Sequence, residues 1–158
     1  EKLSIMIGDA ALKYFILKTD AKKNMLFNSE ESIDFNGHTG PFIQYTYARI
    51  NSVLCKSKKN ENTFQLKRNL LNEEKAIIKL ILNYPLVIKQ SAKELNPSFL
   101  ASYLYSLSKE YNHFYQKIPI LKTDEADDKN FRLTISKKVG ILIKKGMSLL
   151  GINVPNKM

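Results

Sequence analysis

Four lysines near the end of the chain have the residue type and the spacing to bind a polyanion. Lys137 and Lys138 precede Lys144 and Lys145 by seven residues, and this spacing places all four in one sector of a helix. Lysines bind nucleic acids by neutralising phosphates and releasing condensed counterions. The pattern predicts either a strip that follows a phosphate backbone or an ordinary solvated helix face, and both interpretations stay open.

The net charge of +10 is confined to one part of the 158-residue chain. Residues 1–54 carry six basic and six acidic side chains, whereas residues 55–158 carry 19 basic and nine acidic ones. A boundary between a neutral and a basic part is therefore expected near residues 40–55. A basic helical domain most often binds a polyanion, although a basic surface can also serve solubility alone.

The sequence lacks the arrangements that are typical of catalysis or metal binding. His38 and His113 are far apart and have no partners at ligand spacing. The single cysteine, Cys55, excludes an internal disulfide and a cysteine-based metal site. Neither a Ser/His/Asp arrangement nor a glycine-rich phosphate loop is evident. The acidic pairs at 30–31 and 127–128 are interpreted as a loop and a helix start.

No stretch approaches the roughly 20 consecutive apolar residues that cross a bilayer. The longest apolar run, residues 77–88, is interrupted by Lys79, Asn83 and Pro85. The chain begins Glu-Lys-Leu-Ser, without methionine or an apolar signal region, which we interpret as an internal position in a longer protein. We expect a cytoplasmic protein without a membrane segment.

Apolar residues recur at helical spacing through most of the chain, whereas no alternating strand pattern occurs after residue 41. The expected helices cover residues 3–18, 42–54, 72–84, 86–95 and 97–118, with a last helix from the acidic run at 124–128 to residue 150. The fold class is thus all-α: a helical bundle over residues 41–158, preceded by a helix and an irregular connecting segment over residues 1–40.

Turn-forming and capping residues set the predicted helix boundaries. Thr39 suits an N-cap, with Pro41 in the first turn that follows. Asn72 is expected to cap the next helix with its side chain, and Pro85 is expected to end or redirect that helix. Gly151 is placed as the C-terminal cap of the last helix.

The run FNGHTGPFIQYTYARI at residues 35–50 resembles the Gly-x-Thr-Gly-Pro-aromatic-x-Gln-Tyr-x-x-Ala-Arg segment of arginyl-tRNA synthetases. Further similarity extends over nearly the whole chain, in GDAALKY (8–14), YLYSL with NHFY (103–107 and 112–115), GMSLLGI (146–152) and PNKM (155–158). The family usually ends Pro-Glu-Arg-Met, so ion pairs of that Glu and Arg cannot be assumed for Asn156 and Lys157.

The resemblance implies the C-terminal DALR-type anticodon-binding domain of a class I enzyme, with the end of its catalytic domain. Residues 1–40 would be the trailing edge of the catalytic domain and a connector, and residues 41–158 the helical domain. The full-length enzyme would attach arginine to tRNA(Arg) using ATP and Mg²⁺. Because the HIGH and KMSKS signatures are absent here, this chain alone is expected to be inactive and to hold no cofactor.

The resemblance also implies the residues that would bind the anticodon. Tyr45 and Tyr115 would stack on bases, whereas periodicity alone predicts tyrosines at the core edge. Arg49 would contact a phosphate or a base edge, and otherwise it is an exposed helix arginine. Gln44 would orient the same helix face, with a structural role favoured. The two rings and Met158 would converge on one cavity that accepts the middle cytosine of the anticodon.

A different class of protein remains an alternative. The chain could be a free-standing helical module that binds RNA or docks to another protein. The neutral segment 1–40 argues against this, because such a module would hardly keep the remnant of a catalytic domain.

Overall fold

The computed structural model describes residues 1–57 and 64–158, and these residues form helices without any strand. The helices are α1 (Lys2–Leu17), α2 (Ser29–Ser32), α3 (Gly40–Lys56), α4 (Asn72–Lys93), α5 (Ser98–Lys117) and α6 (Ala126–Leu149). The all-α prediction is confirmed. Within this described part, no helix is both long enough and apolar enough to cross a membrane.

The core lies where α3, α5 and α6 meet. The apolar stripe of α5 supplies Leu104, Leu107 and Phe114, which are fully buried, and Ile50 of α3 and Ile143 of α6 pack into the same cluster. Burying one such side chain stabilises the fold by about 1.5–3 kcal/mol. These three helices therefore form a rigid base for their ends and for the loops between them.

The start of α3 follows the sequence prediction. The Thr39 side chain accepts a hydrogen bond from the backbone N–H of Phe42 at 3.2 Å, and Pro41 lies in the first turn. Gly40 packs so closely on α1 that a Cβ there would lie 2.4 Å from the carbonyl oxygen of Ala10. The glycine-rich turn thus fixes α3 against α1.

The end of α6 also agrees with its prediction. Gly151 has a φ of +69° and donates its N–H to Ser148, while Ile152 donates to Met147 at 2.9 Å. This pair of bonds is a Schellman motif, which turns the chain sharply at a left-handed residue. The C-terminal segment, residues 152–158, therefore folds back along the bundle.

The predicted cap at Asn72 is wrong, because Asn72 is the first residue of α4 and Leu71 holds the cap position. The carboxylate of Glu74 accepts the backbone N–H of Leu71 at 2.9 Å. A glutamate three residues into a helix can reach back in this way, as in one half of a capping box. Arg68 orients that carboxylate, a contact that local sequence patterns do not reveal.

Of the two outcomes predicted for Pro85, ending or redirecting the helix, the first is wrong, since α4 continues through it and residues 86–95 do not form a separate helix. Pro85 is exposed, whereas Ile88 beyond it packs against the core. Before it, the Tyr103 hydroxyl of α5 donates to the Leu80 carbonyl at 2.9 Å. Packing against α5 therefore outweighs a cost of about 3 kcal/mol for an interior proline.

A second tight approach joins α5 to α6. A Cβ on Gly146 would lie 2.6 Å from a methyl carbon of Leu104. Because Gly146 has no side chain, Leu104 of α5 can pack directly on the backbone of α6. This contact helps to hold α5 in place on α6.

Candidate nucleic-acid interface

A cavity of about 880 Å³ opens between three parts of the chain: one face of α3 from Tyr45 to Lys56, the end of α5 with the loop that follows it, and the C-terminal segment. Tyr45, Arg49, Tyr115 and Met158 all line it. The structure thus brings together four of the residues singled out from the sequence, although more than 100 positions separate the first from the last.

Arg49 joins the two tyrosines of the cavity. Its guanidinium carbon lies 4.8 Å from the ring centre of Tyr45 and 5.1 Å from that of Tyr115, within the range of attractive cation–π contacts. The tyrosines retain 42% and 40% exposure. Both rings are therefore held in place by the cation while they still offer apolar surface to a ligand.

Asn112 sets the orientation of Arg49, and sequence reasoning did not single it out. Its side-chain oxygen accepts a hydrogen bond from Nη1 of Arg49, and its amide donates to the Thr46 hydroxyl at 2.8 Å. That hydroxyl in turn donates to the carbonyl of Phe42 at 3.0 Å. These hydrogen bonds connect α5 to α3, so a local sequence pattern cannot predict them.

Gln44 lies inside the protein and does not border the cavity. Its amide donates to the carbonyls of Met6 at 3.3 Å and Asn153 at 2.8 Å. It therefore ties α1 and the C-terminal segment to α3. This geometry agrees with the structural role favoured from the sequence, and it helps to hold the segment that carries Met158.

The lysines of α6 do not border the cavity. Lys137, Lys138, Lys144 and Lys145 are all exposed, and the last two flank Tyr84 in a shallow depression between α4 and α6. The predicted strip is thus a separate surface from the cavity of Tyr45 and Tyr115.

Three lysines that sequence reasoning missed do border the cavity: Lys56, Lys122 and Lys157. Lys56 follows Arg49 by seven residues, so helical spacing could have identified it. Lys122 and Lys157 lie in segments without a regular repeat, where spacing carries no information about direction.

A buried ion-pair network holds one wall of the cavity. The Glu74 carboxylate, fully buried, binds Arg68 at 2.8 Å and Arg132 at 3.2 Å, and Asp128 binds the same two arginines. Arg132 also donates to the carbonyl of Pro119 at 2.9 Å. Since Pro119 lines the cavity, the network positions the α5–α6 loop.

The network changes the pKa of Glu74 and of Arg68. Burial raises the pKa of Glu74, but hydrogen bonds from Arg68, from a backbone N–H and from Arg132 outweigh this and hold it below its ordinary value of 4.5. Hydrogen bonds to Glu74 and to Asp128 raise the pKa of Arg68. Glu74 and Arg68 are therefore charged at neutral pH and stabilise one another.

These carboxylates do not form a metal site. Glu74 and Asp128 already accept hydrogen bonds from two arginines each. No group of three or more His, Cys, Asp or Glu within residues 1–57 and 64–158 could hold a metal ion.

Residues 43–158 match the family model described as "DALR anticodon binding domain". Similar curated proteins include the arginine–tRNA ligases of Flavobacterium psychrophilum, 52% identical over 96% of this chain, and Parabacteroides distasonis, 46% identical over all of it. The arginyl-tRNA synthetase of Thermus thermophilus has a similar structure, with a TM-score of 0.94 and 27% identity over 99% of this chain. The chain spans 25%, 27% and 27% of the lengths of these three proteins.

Proposed function

Because the chain belongs to the family of DALR anticodon-binding domains, we propose that it binds the anticodon loop of an arginine tRNA. The ligand site is the cavity bordered by Tyr45, Arg49, Tyr115 and Met158. In this proposal the two tyrosines stack on bases, Arg49 contacts a phosphate or a base edge, and the thioether of Met158 packs on the base that enters. That base is the middle cytosine of the anticodon.

One observation carries the proposal: two half-exposed aromatic rings and an oriented arginine meet at one cavity. Single-stranded RNA loops are recognised by aromatic or guanidinium surfaces on which unstacked bases lie. Each stacked base contributes roughly 1–3 kcal/mol. Two rings are therefore enough to give measurable affinity before any phosphate contact is counted.

The exposed lysines of α6 would add affinity without base selectivity. Lys137, Lys138, Lys144 and Lys145 form a separate surface that could follow the RNA backbone. Contacts to phosphate position a nucleic acid, whereas contacts to base edges and base faces select its sequence. Charge reversal at Lys137 and Lys138 should thus weaken binding to every RNA about equally.

The whole protein would be an arginine–tRNA ligase that works in the cytoplasm. Its catalytic domain would hold ATP, Mg²⁺ and arginine, while the present chain holds the tRNA at a distance from the reacting atoms. Binding energy from a remote part of a substrate can support catalysis by positioning. The chain alone should therefore show no arginine-dependent exchange of pyrophosphate into ATP.

Residues 1–40 would be the trailing edge of that catalytic domain. They expose large apolar side chains, including Ile5, Leu12, Ile16, Leu26 and Ile33. Exposed apolar patches of this kind typically mark surfaces that another protein part covers. The free-standing module is the competing interpretation, and the mass of the native gene product would distinguish the two: near 18.2 kDa for a module, several-fold more for a ligase.

The test compares two RNA stem-loops that differ at one base. One carries an arginine anticodon, and the other has its middle cytosine replaced by another base. The proposal expects the 158-residue chain to bind the first more tightly, with affinity falling steeply as salt is added. Equal affinity for the two stem-loops at every salt concentration would contradict it.

A further inference from the structure

Lys56, Lys122 and Lys157 come from three separate parts of the fold to border one cavity. Lys56 is the last residue of α3, Lys122 lies in the α5–α6 loop, and Lys157 belongs to the C-terminal segment. All three are exposed. None of them takes part in an ion pair within the described residues, and neither Asp nor Glu is among the described side chains that line the cavity.

Some lysines elsewhere in the described residues pair with carboxylates. Lys13 binds Asp9 at 2.8 Å, and Lys18 binds Glu31 at 3.3 Å. Around the cavity, the three lysines join Arg49, and no Asp or Glu side chain is among the described residues that line it. Like charges around one concave site repel one another and focus a positive potential into it. This arrangement does not stabilise the fold, and it favours an anion as the ligand of the cavity.

We propose that Lys56, Lys122 and Lys157 bind RNA backbone phosphates on either side of the base that enters the cavity. This inference rests on the proposed function, since it takes the ligand to be an RNA loop. The three lysines line the same cavity as the rings of Tyr45 and Tyr115. A nucleotide whose base stacks on a ring would therefore bring its flanking phosphates towards the lysines, where each contact releases a condensed counterion.

The first experiment removes these three charges and compares the change in RNA affinity with the change caused by removing three lysine charges elsewhere on the surface. One variant carries Lys56→Gln, Lys122→Gln and Lys157→Gln. The control variant carries the same change at three exposed lysines of α4: Lys79, Lys89 and Lys93. Affinity for the arginine stem-loop is measured over a range of salt concentrations. Three lost phosphate contacts should make the negative slope of log K against log salt less steep by about 2, at about 0.7 per single-stranded phosphate, whereas the control should keep the slope of the unmodified chain.

The second experiment locates the contacts on the RNA. Neutral methylphosphonate linkages replace the phosphates that flank the middle anticodon base, and each lysine variant is measured with both RNAs. If the lysines bind these phosphates, the two changes are not additive in a double-mutant cycle. The cavity variant should then lose little further affinity on the neutral RNA, while the control loses as much as the unmodified chain does.

The outcomes separate this inference from the proposed function. If both triple variants lose the same amount of affinity and of salt dependence, the lysines act only through overall charge and the inference is overturned. An unchanged slope in the cavity variant overturns it as well, while selectivity for the middle cytosine still supports anticodon binding. A chain that does not distinguish the two stem-loops overturns the proposed function itself. Because the lysines repel one another, the cavity variant should melt no earlier than the unmodified chain, and a lower Tm would assign them a structural role instead.

Discussion

Asn112 of α5 accepts a hydrogen bond from Arg49 of α3, and this bond orients the guanidinium between the rings of Tyr45 and Tyr115. We predict that Asn112→Ala weakens binding of the arginine stem-loop about tenfold, equivalent to about 1.4 kcal/mol, because the cation loses its fixed position. Affinity is measured by titration of labelled RNA. Asn83→Ala on the exposed side of α4 is the control and should bind normally, and an Asn112→Ala variant that binds equally well would exclude a positioning role.

Tyr115→Ala should reduce the affinity for the arginine stem-loop by about 1–3 kcal/mol, the range found for one stacked base. The difference in affinity between the stem-loop with the middle cytosine and the stem-loop in which that base is replaced should become smaller. Deletion of Met158 should act in the same direction, since both residues line the cavity. Tyr115→Phe keeps the ring and should restore selectivity. A variant that loses affinity for both RNAs equally, and that also melts earlier, would show a damaged fold rather than a damaged pocket.

Glu74→Gln should destabilise the protein at pH 7 by less than the about 3–5 kcal/mol that is typical of a broken buried ion pair, because the buried Arg132 loses one partner charge but keeps Asp128. The pKa of Glu74 is lowered in the folded state, so its stabilisation is complete above the unfolded value of about 4.5 and is lost as the pH falls through the folded value. The difference in stability between the two proteins should therefore shrink on acidification below pH 4.5. Urea unfolding at several pH values measures it, and a difference that stays constant down to pH 3 would contradict the prediction.

Gly40→Ala should strongly destabilise the fold, since the new Cβ would lie 2.4 Å from a backbone oxygen of α1. Gly8 is a matched control: it lies in the exposed part of α1 and a Cβ there meets nothing within 4 Å. Gly8→Ala should raise stability by up to about 1 kcal/mol through helix propensity. Thermal unfolding of both variants tests this, and two similar melting temperatures would mean that α1 and α3 can separate at little cost.

Leu95→Gly should stabilise the protein by about 1 kcal/mol. Leu95 follows Glu94, the C-cap of α4, has a φ of +48° and is almost fully exposed, so it bears the steric cost of a left-handed conformation with little burial in return. Ala92→Gly, one turn earlier and also exposed, should instead destabilise by about 1 kcal/mol. If both substitutions lower the free energy of unfolding, the turn is not strained.

Local sequence patterns predicted the fold where local interactions decide it. Thr39, Pro41 and Gly151 set helix ends through their own backbone preferences, and the structure confirms each of them. The errors at Asn72 and Pro85 have different causes. At Asn72 the carboxylate of Glu74 takes over the capping of α4, and Arg132 of α6 helps to hold it. At Pro85 the packing of α4 against α5 outweighs the local preference.

The candidate site divides in the same way. Tyr45, Arg49, Tyr115 and Met158 were chosen through a family resemblance, and their common cavity follows from the fold. Asn112 was missed because its hydrogen-bond partners lie on another helix. Lys122 and Lys157 were missed because they lie outside the helices, where spacing does not predict which way a side chain faces. Lys56 was within reach of the helical repeat, since it shares a face of α3 with Arg49.

If α5 tilted against α6, it would turn about their close crossing, where Leu104 of α5 packs on Gly146 of α6. Leu104, at the crossing, and Tyr115, at the cavity, are 11 residues apart on one helix, about 16 Å at 1.5 Å per residue. A tilt of about 4° around the crossing would therefore move the Tyr115 ring by about 1 Å, by the same helix geometry. A displacement of about 1 Å can remove much of the contribution that a positioned side chain makes. The glycine in the middle of the bundle thus helps to set the width of the cavity at Tyr115.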